Sequence, residues 1–139
     1  MESKSSLSES ILEHIADAVI YADGTGTIRR WNASAAELFG YASAEALGRS
    51  LDLIIPERLR PAHWRGFEAA MTSGALKLSG RPTLTRAMHR SGRRLYVELT
   101  FALVPTQTGV AARGAVAVAR DVSSRIEQQR AAARGNQHG

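Results

Sequence analysis

LIIPERLRPAHWRGFEAAMTS, residues 53–73, is the stretch on which the predicted packing of this chain depends. Proline is tolerated only in the first turn of a helix, so Pro56 and Pro61 predict a short helical turn that leads into a longer helix. One side of that helix is mostly apolar and the other is polar. The apolar side consists of Leu59, His63, Phe67, Ala70 and Met71, and the polar side of Arg65, Glu68 and Thr72. The pattern therefore directs one histidine towards the protein interior.

The residues before this stretch predict a helix followed by a β-hairpin. Residues 8–16 predict a helix capped by Ser8, with an apolar side that needs a partner to cover it. That side consists of Leu7, Ile11, Leu12 and Ile15. Residues 18–22 and 27–31 then predict two strands, because the glycine-containing residues 23–26 between them are typical of a tight turn.

Two short helices are predicted after the hairpin. Asn32 is a typical helix cap, and residues 33–39 follow it with Gly40 as the stop. Residues 43–47 repeat the pattern with a second glycine directly after them. Short helices with glycine stops indicate a segment that crosses between other elements rather than a helix bundle.

Three strand-like runs close the domain. Residues 93–104 alternate between large apolar side chains and other residues, which is the strongest strand pattern in the chain. Residues 83–89 and 114–120 predict its neighbours, and residues 124–134 predict a polar helical tail that cannot fold alone. One face of the last strand carries only methyl groups, so it is predicted to leave room beside it. Those small residues are Ala115, Ala117 and Ala119.

The composition limits both the size and the chemistry of the protein. With 139 residues, of which 44% are hydrophobic, the chain suits one compact domain. The absence of cysteine excludes disulfides, thiolate metal sites, cysteine nucleophiles and cysteinyl cofactor adducts. The N-terminus is polar, and no apolar run approaches the roughly 18 residues of a membrane span. We therefore expect a cytoplasmic protein with no membrane contact in this segment.

The formal net charge of +5 is concentrated in one part of the chain. Nine Lys or Arg residues lie from Arg58 to Arg94, against Glu68 alone. The simplest interpretation is a solvated face, and the alternative is contact with an anion such as nucleic acid, an acidic partner or the carboxylates of a cofactor. Because aromatic residues are not interleaved with these charges and no reader motif is present, we do not predict nucleic-acid binding.

Several motifs, taken in their order along the chain, resemble those of a PAS domain. They are DAVI (17–20), GTI (26–28), WNASAAELFGY (31–41), LGR (47–49), IP (55–56), RSG (90–92) and RDVS (120–123). The resemblance covers about residues 8–124 and implies an α+β fold. In that fold a five-stranded antiparallel sheet carries short helices and one longer helix on one face. The predicted divisions are an N-terminal flanking helix (1–16), the PAS sensor domain (17–123) and a C-terminal connector helix (124–139).

The resemblance to PAS domains implies a sensory and signal-relay function. It implies a homodimer, formed here through the N-terminal helix, and a covalently linked output domain outside this chain. We predict no enzymatic activity, because the four histidines have no obvious serine or paired carboxylate partner. PAS domains hold haem, flavins, small acids or nothing, so the fold alone does not identify a ligand.

The sequence also resembles the haem-binding oxygen sensors among PAS domains, in which a histidine on the long helix is the axial iron ligand. Ile55-Pro56-Glu57 followed by His63 matches that arrangement, so the resemblance implies b-type haem with His63 as the metal ligand. The helix macrodipole near its first turns favours the neutral imidazole that binds iron. The other cofactor-binding residues implied are Phe67, Val97, Leu99, Phe101 and Ala117 around the ring, with Lys77, Arg81 or Arg86 at the propionates.

One position departs from the oxygen-sensor pattern. Those proteins have an arginine early in the third strand that hydrogen-bonds the bound gas. By its spacing from His63 and Gly92, that position is Thr83 in this chain. Bound nitric oxide or carbon monoxide would depend less than bound oxygen on a hydrogen-bond donor at this position. Met88 is an alternative second ligand of the iron.

An alternative to haem binding remains open. His63 is either a haem ligand or a half-buried imidazole bonded to a backbone carbonyl or water. In the second case the domain is a dimerisation and relay module with another small ligand, such as a non-covalent flavin, or with none. Trp31 and Trp64 are interpreted as packing residues rather than cofactor contacts.

Overall fold

The computed structural model describes residues 4–75, 81–106 and 112–137. In chain order its elements are α1 (Lys4–His14), β1 (Ala18–Asp23), β2 (Ile28–Trp31), α2 (Ala33–Phe39), α3 (Ser43–Ala46), two 3-10 turns (Leu51–Ile54 and Glu57–Leu59), α4 (Arg60–Ser73), β3 (Thr83–Met88), β4 (Arg94–Pro105), β5 (Ala112–Asp121) and α5 (Ser123–Gln137). The order of elements predicted from the sequence is confirmed, including the short turn that precedes the long helix.

The five strands form one antiparallel sheet in the order β2-β1-β5-β4-β3. The hairpin β1-β2 and the meander β3-β4-β5 therefore meet where β1 pairs with β5. The helical segment from α2 to α4 connects β2 with β3, which lie at opposite edges of the sheet. This arrangement confirms the predicted α+β PAS fold.

One face of the sheet, the inner face, carries most of the hydrophobic core. Paired residues of an antiparallel sheet lie on the same face. The register places two rows of side chains across the inner face, and the core cluster contains members of both. The rows are Thr83, Leu99, Ala119 and Ala18, and Phe101, Ala117, Ile20 and Trp31.

The helices pack onto this face through large apolar side chains. Phe39, Ile28, Leu95 and Val97 are the largest fully buried side chains among the described residues. The Phe39 ring lies 5.5 Å from that of Trp31, and Trp31 Nε1 donates to the Tyr41 carbonyl at 3.0 Å. Trp31 is therefore a packing residue, as the sequence predicts.

Asn32 joins α1 to the sheet and to α2, and it is buried. Its Oδ1 accepts hydrogen bonds from the Val19 and Ala35 N–H groups, both at 2.9 Å. Its Nδ2 donates to the carbonyls of Leu12 at 2.8 Å and Asp17 at 3.1 Å. The predicted cap of α2 is confirmed, and the same amide holds the chain just beyond α1, which explains why that helix ends at His14 rather than at residue 16.

The apolar side predicted for α1 is left largely uncovered. Leu7 is 55% exposed and Ile11 is 54% exposed, while Leu12 and Ile15 are half-buried. The helix begins at Lys4, earlier than the predicted cap at Ser8. Among the described residues, no helix has the length and hydropathy needed to cross a membrane.

Candidate functional site

α4 is held in place by the turns that precede it. Pro61 occupies its first turn, where a missing N–H costs no helical hydrogen bond, and Gly74 ends it with φ of 70°. Arg60 reaches back from the helix, donating from Nε to the Ile55 carbonyl at 3.0 Å and from Nη2 to the Asp52 carbonyl at 3.2 Å. The direction of α4 is thereby fixed relative to the Leu51–Ile54 turn.

Trp64 fixes the rotation of α4 about its axis. Its Nε1 donates to Asp52 Oδ1 at 2.7 Å. Its ring packs against Gly26, whose φ is 81° and where an added Cβ would overlap the ring. Only glycine suits both the backbone angle and this contact. Trp64 is therefore a packing residue, and by anchoring the helix it determines the direction of the neighbouring His63.

The His63 imidazole is half-buried within a small aromatic cluster. Its ring centroid lies 4.7 Å from that of Trp64, edge to face, and 6.0 Å from that of Phe67. His63 Nδ1 is buried and has no hydrogen-bond partner among the described residues. Burial lowers the pKa of His63, and attraction to the Asp52 carboxylate partly offsets this effect. The site thus presents a neutral imidazole with an unpaired ring nitrogen.

This burial predicts a pH dependence of stability. Because the pKa of His63 in the folded state lies below its usual value of 6.5, the unfolded state binds more protons as the pH falls. The contribution of the neutral ring to the free energy of unfolding is complete above the usual pKa of 6.5. It is lost as the pH drops through the lower pKa of the folded state. We expect His63→Phe, which keeps a ring that does not titrate, to flatten this part of the profile in urea unfolding between about pH 7 and 5.

His14, which is exposed on α1, offers the matched control. His14→Gln, which removes a histidine without altering the aromatic cluster on α4, is measured in parallel. A His63→Phe variant with the wild-type slope would show that the imidazole titrates as it does in water.

The sheet residues predicted to surround a cofactor share the inner face. The register places Thr83, Leu99, Phe101 and Ala117 there, on β3, β4 and β5. All four are half-buried. Val97 shares the inner face. It is only 1% exposed and belongs to the hydrophobic core cluster, so it is a core residue.

Two other side chains considered from the sequence lie on the opposite face. Arg86 pairs with Tyr96 and Met88 with Arg94, one register step away from the inner-face residues of β3. The Arg86 guanidinium lies over the Tyr96 ring, 5.8 Å from its centroid. The ideas that Arg86 meets a propionate and that Met88 is a second ligand are therefore wrong, because alternation along β3 directs both away from the inner face. Arg81 is exposed, and Lys77 lies outside the described residues.

α4 packs against β5, the strand whose alanines predict open space beside them. Ala70 is the one buried residue of α4. Small side chains on both surfaces permit this close approach. Two clefts of about 250 Å³ are present elsewhere, and His63 lines neither of them.

Asp52 belongs to the site although no role was predicted for it from the sequence. It binds Trp64 through its carboxylate and Arg60 through its carbonyl, and its charge acts on His63. The available signal was a single acidic residue within the apolar run Leu51–Ile54, where a carboxylate needs a hydrogen-bond donor.

Comparison with known proteins identifies the family. The sequence profile of the PAS fold matches residues 7–122. The chain therefore belongs to the PAS family, whose members are sensory domains.

Similar proteins include two sensors and one solved PAS domain. Sensor protein FixL of Bradyrhizobium diazoefficiens is 35% identical over 92 residues, which are 66% of this chain and 18% of that protein. Oxygen sensor protein DosP of Escherichia coli is 29% identical over 102 residues, 71% of this chain and 12% of that protein. This chain thus spans less than a fifth of the length of either sensor. The crystal structure of a PAS domain from Colwellia psychrerythraea has a TM-score of 0.73 at 17% identity, covering 88% of this chain and 99% of that one, and shows the fold alone.

Proposed function

We propose that this PAS domain binds b-type haem through His63 and senses a gaseous ligand. The observation that carries the proposal is the buried, unpaired nitrogen of a neutral imidazole on α4. The sequence places this histidine where haem-binding PAS sensors have their axial ligand. A relative named as an oxygen sensor supports the same class of signal.

The residues proposed to hold the porphyrin suit it chemically. Phe67 packs against the His63 ring, and Leu99, Phe101 and Ala117 share the inner face of the sheet, so their apolar side chains would contact the cofactor. Arg81, which is exposed, would supply a cation for a propionate. When bound, the iron would supply an open coordination position for a diatomic gas.

Thr83 lies on the inner face of the sheet and would offer such a gas a hydroxyl. The oxygen sensors that the sequence resembles have a guanidinium at this position. A hydroxyl is a weaker donor to a partly anionic bound ligand than a charged group is. We therefore propose that carbon monoxide and nitric oxide bind with less dependence on this position than oxygen does.

The connection to an output domain is proposed to run through β4 into α5. Tyr96 on β4 donates its N–H to Ser123 Oγ at 2.9 Å and accepts from the Val122 N–H at 2.9 Å. Arg130 on α5 lies over the Tyr96 ring, 4.9 Å from its centroid. Leu99 and Phe101 lie on β4 as well. A change at the inner face would therefore act on the strand to which the start of α5 is hydrogen-bonded.

We also propose a homodimer formed through α1, supported by the exposure of Leu7 and Ile11. The dimer should depend on this segment, because its exposed apolar side chains would form the contact. Light scattering is expected to give twice the chain mass for the full protein and the monomer mass after removal of residues 1–16. A monomer in both samples would contradict the dimer.

An alternative is a relay domain that holds a non-covalent flavin, another small ligand or none. It is favoured by the close approach of α4 to β5 and by the position of both clefts away from His63. Titration of the purified protein with hemin, followed by its absorption spectrum, separates the two functions. A Soret band that depends on His63 supports the haem sensor, and a protein that refuses hemin supports the alternative.

A further inference from the structure

One of the two clefts that His63 does not line lies at the edge strand β3. It has a volume of about 250 Å³ and is lined by Arg58, Arg86 and Arg94, together with Glu57, Leu59 and Met88. We name it the β3-edge cleft. Arg86 and Met88 belong to the face of β3 opposite the inner face, so the cleft is separate from the proposed haem site.

The three guanidinium groups have no ion-pair partner among the described residues. Six other arginines of the described chain each contact a carboxylate, so the three at this cleft belong to the group that is left without one. Arg86 rests on the Tyr96 ring, a contact that leaves its N–H groups available as donors. With one carboxylate, from Glu57, the lining has a formal charge of +2, from three arginines less one glutamate.

The walls of the cleft are partly apolar. Leu59 and Met88 are half-buried, whereas the three arginines and Glu57 are exposed. Guanidinium groups bind carboxylate and phosphate oxygens in pairs, and an apolar wall suits a short hydrocarbon moiety. The volume is below the roughly 300–1,000 Å³ of sites for drug-sized ligands, which favours a small anion over a nucleotide or a peptide.

We propose that the β3-edge cleft binds a small dianion, either a short dicarboxylate or a phosphate. Two negative charges match the charge of the lining. The 3-10 turn Glu57–Leu59 leads directly into α4. A ligand in the cleft would therefore contact both this turn and the edge of the sheet.

Isothermal titration calorimetry at low salt tests the proposal with succinate, inorganic phosphate and acetate as probes. Succinate or phosphate should bind at least about tenfold more tightly than acetate, because a monoanion leaves part of the cationic lining unpaired. The tighter of the two dianions identifies the ligand chemistry. Binding of an acidic peptide without binding of either dianion would overturn the proposal in favour of a protein partner.

Four variants place the binding in this cleft. Arg86→Gln and Arg94→Gln should each weaken dianion binding by about tenfold, and Glu57→Gln should strengthen it because a like charge is removed. Arg113→Gln on β5 removes an exposed arginine that makes no ion pair with the described residues, and it should change nothing. Equal weakening by Arg113→Gln would overturn the proposal, since it would mean that net charge alone attracts the anion, and so would the absence of any dianion binding.

Discussion

Replacing His63 with alanine is expected to weaken hemin binding by at least about 100-fold. Even residues that only orient a metal ligand are worth about 10–100-fold in metal affinity, and the ligand itself should be worth more. The burial that lowers the pKa of this imidazole favours its neutral form, in which one ring nitrogen has a lone pair free of a proton. Absorption titration of the apoprotein with hemin measures the loss through the Soret band.

His14 and added imidazole provide the controls for this result. His14→Ala removes an exposed histidine on α1 and should bind hemin like the wild type. Imidazole added to His63→Gly should restore the band, because the small ring can occupy the space left by the side chain. A His63→Ala protein with the wild-type spectrum and affinity would place the iron ligand elsewhere.

Replacing Asn32 with alanine is expected to cost about 3 kcal/mol or more in the free energy of unfolding. Each buried group that loses its partner costs about 1–3 kcal/mol. The variant leaves the N–H groups of Val19 and Ala35 and the carbonyls of Leu12 and Asp17 without the Asn32 amide. Urea unfolding followed by circular dichroism measures the change.

Asn32→Asp separates the two functions of this side chain. The carboxylate can still accept from Val19 and Ala35, but it cannot donate to the carbonyls of Leu12 and Asp17. We expect the core to remain folded while the amides of α1 exchange with solvent more rapidly in hydrogen exchange. Protection of α1 equal to that of the wild type would show that Asn32 does not hold this helix.

Much of the fold could be predicted from local patterns. Pro61 and Gly74 mark the two ends of α4, and the alternation in residues 93–104 predicts β4 almost to its bounds. The helical tail extends past the predicted residue 134 to Gln137.

The candidate site was less predictable because it depends on register and tertiary contacts. Arg86 and Thr83 are both close to the proposed site in sequence, yet strand alternation places them on opposite faces. The contact of Trp64 with Gly26 joins residues that no local pattern connects. Small side chains on β5 predict either empty space or a closely packed helix, and only the position of α4 distinguishes the two.

A crystal structure of the protein prepared with hemin tests the chemical role of the α4 imidazole most directly. We expect iron within bonding distance of a His63 ring nitrogen, with the porphyrin between α4 and the Thr83, Leu99 and Phe101 side chains. Iron held by another side chain, or a porphyrin on the protein surface with His63 still packed between Trp64 and Phe67, would contradict it.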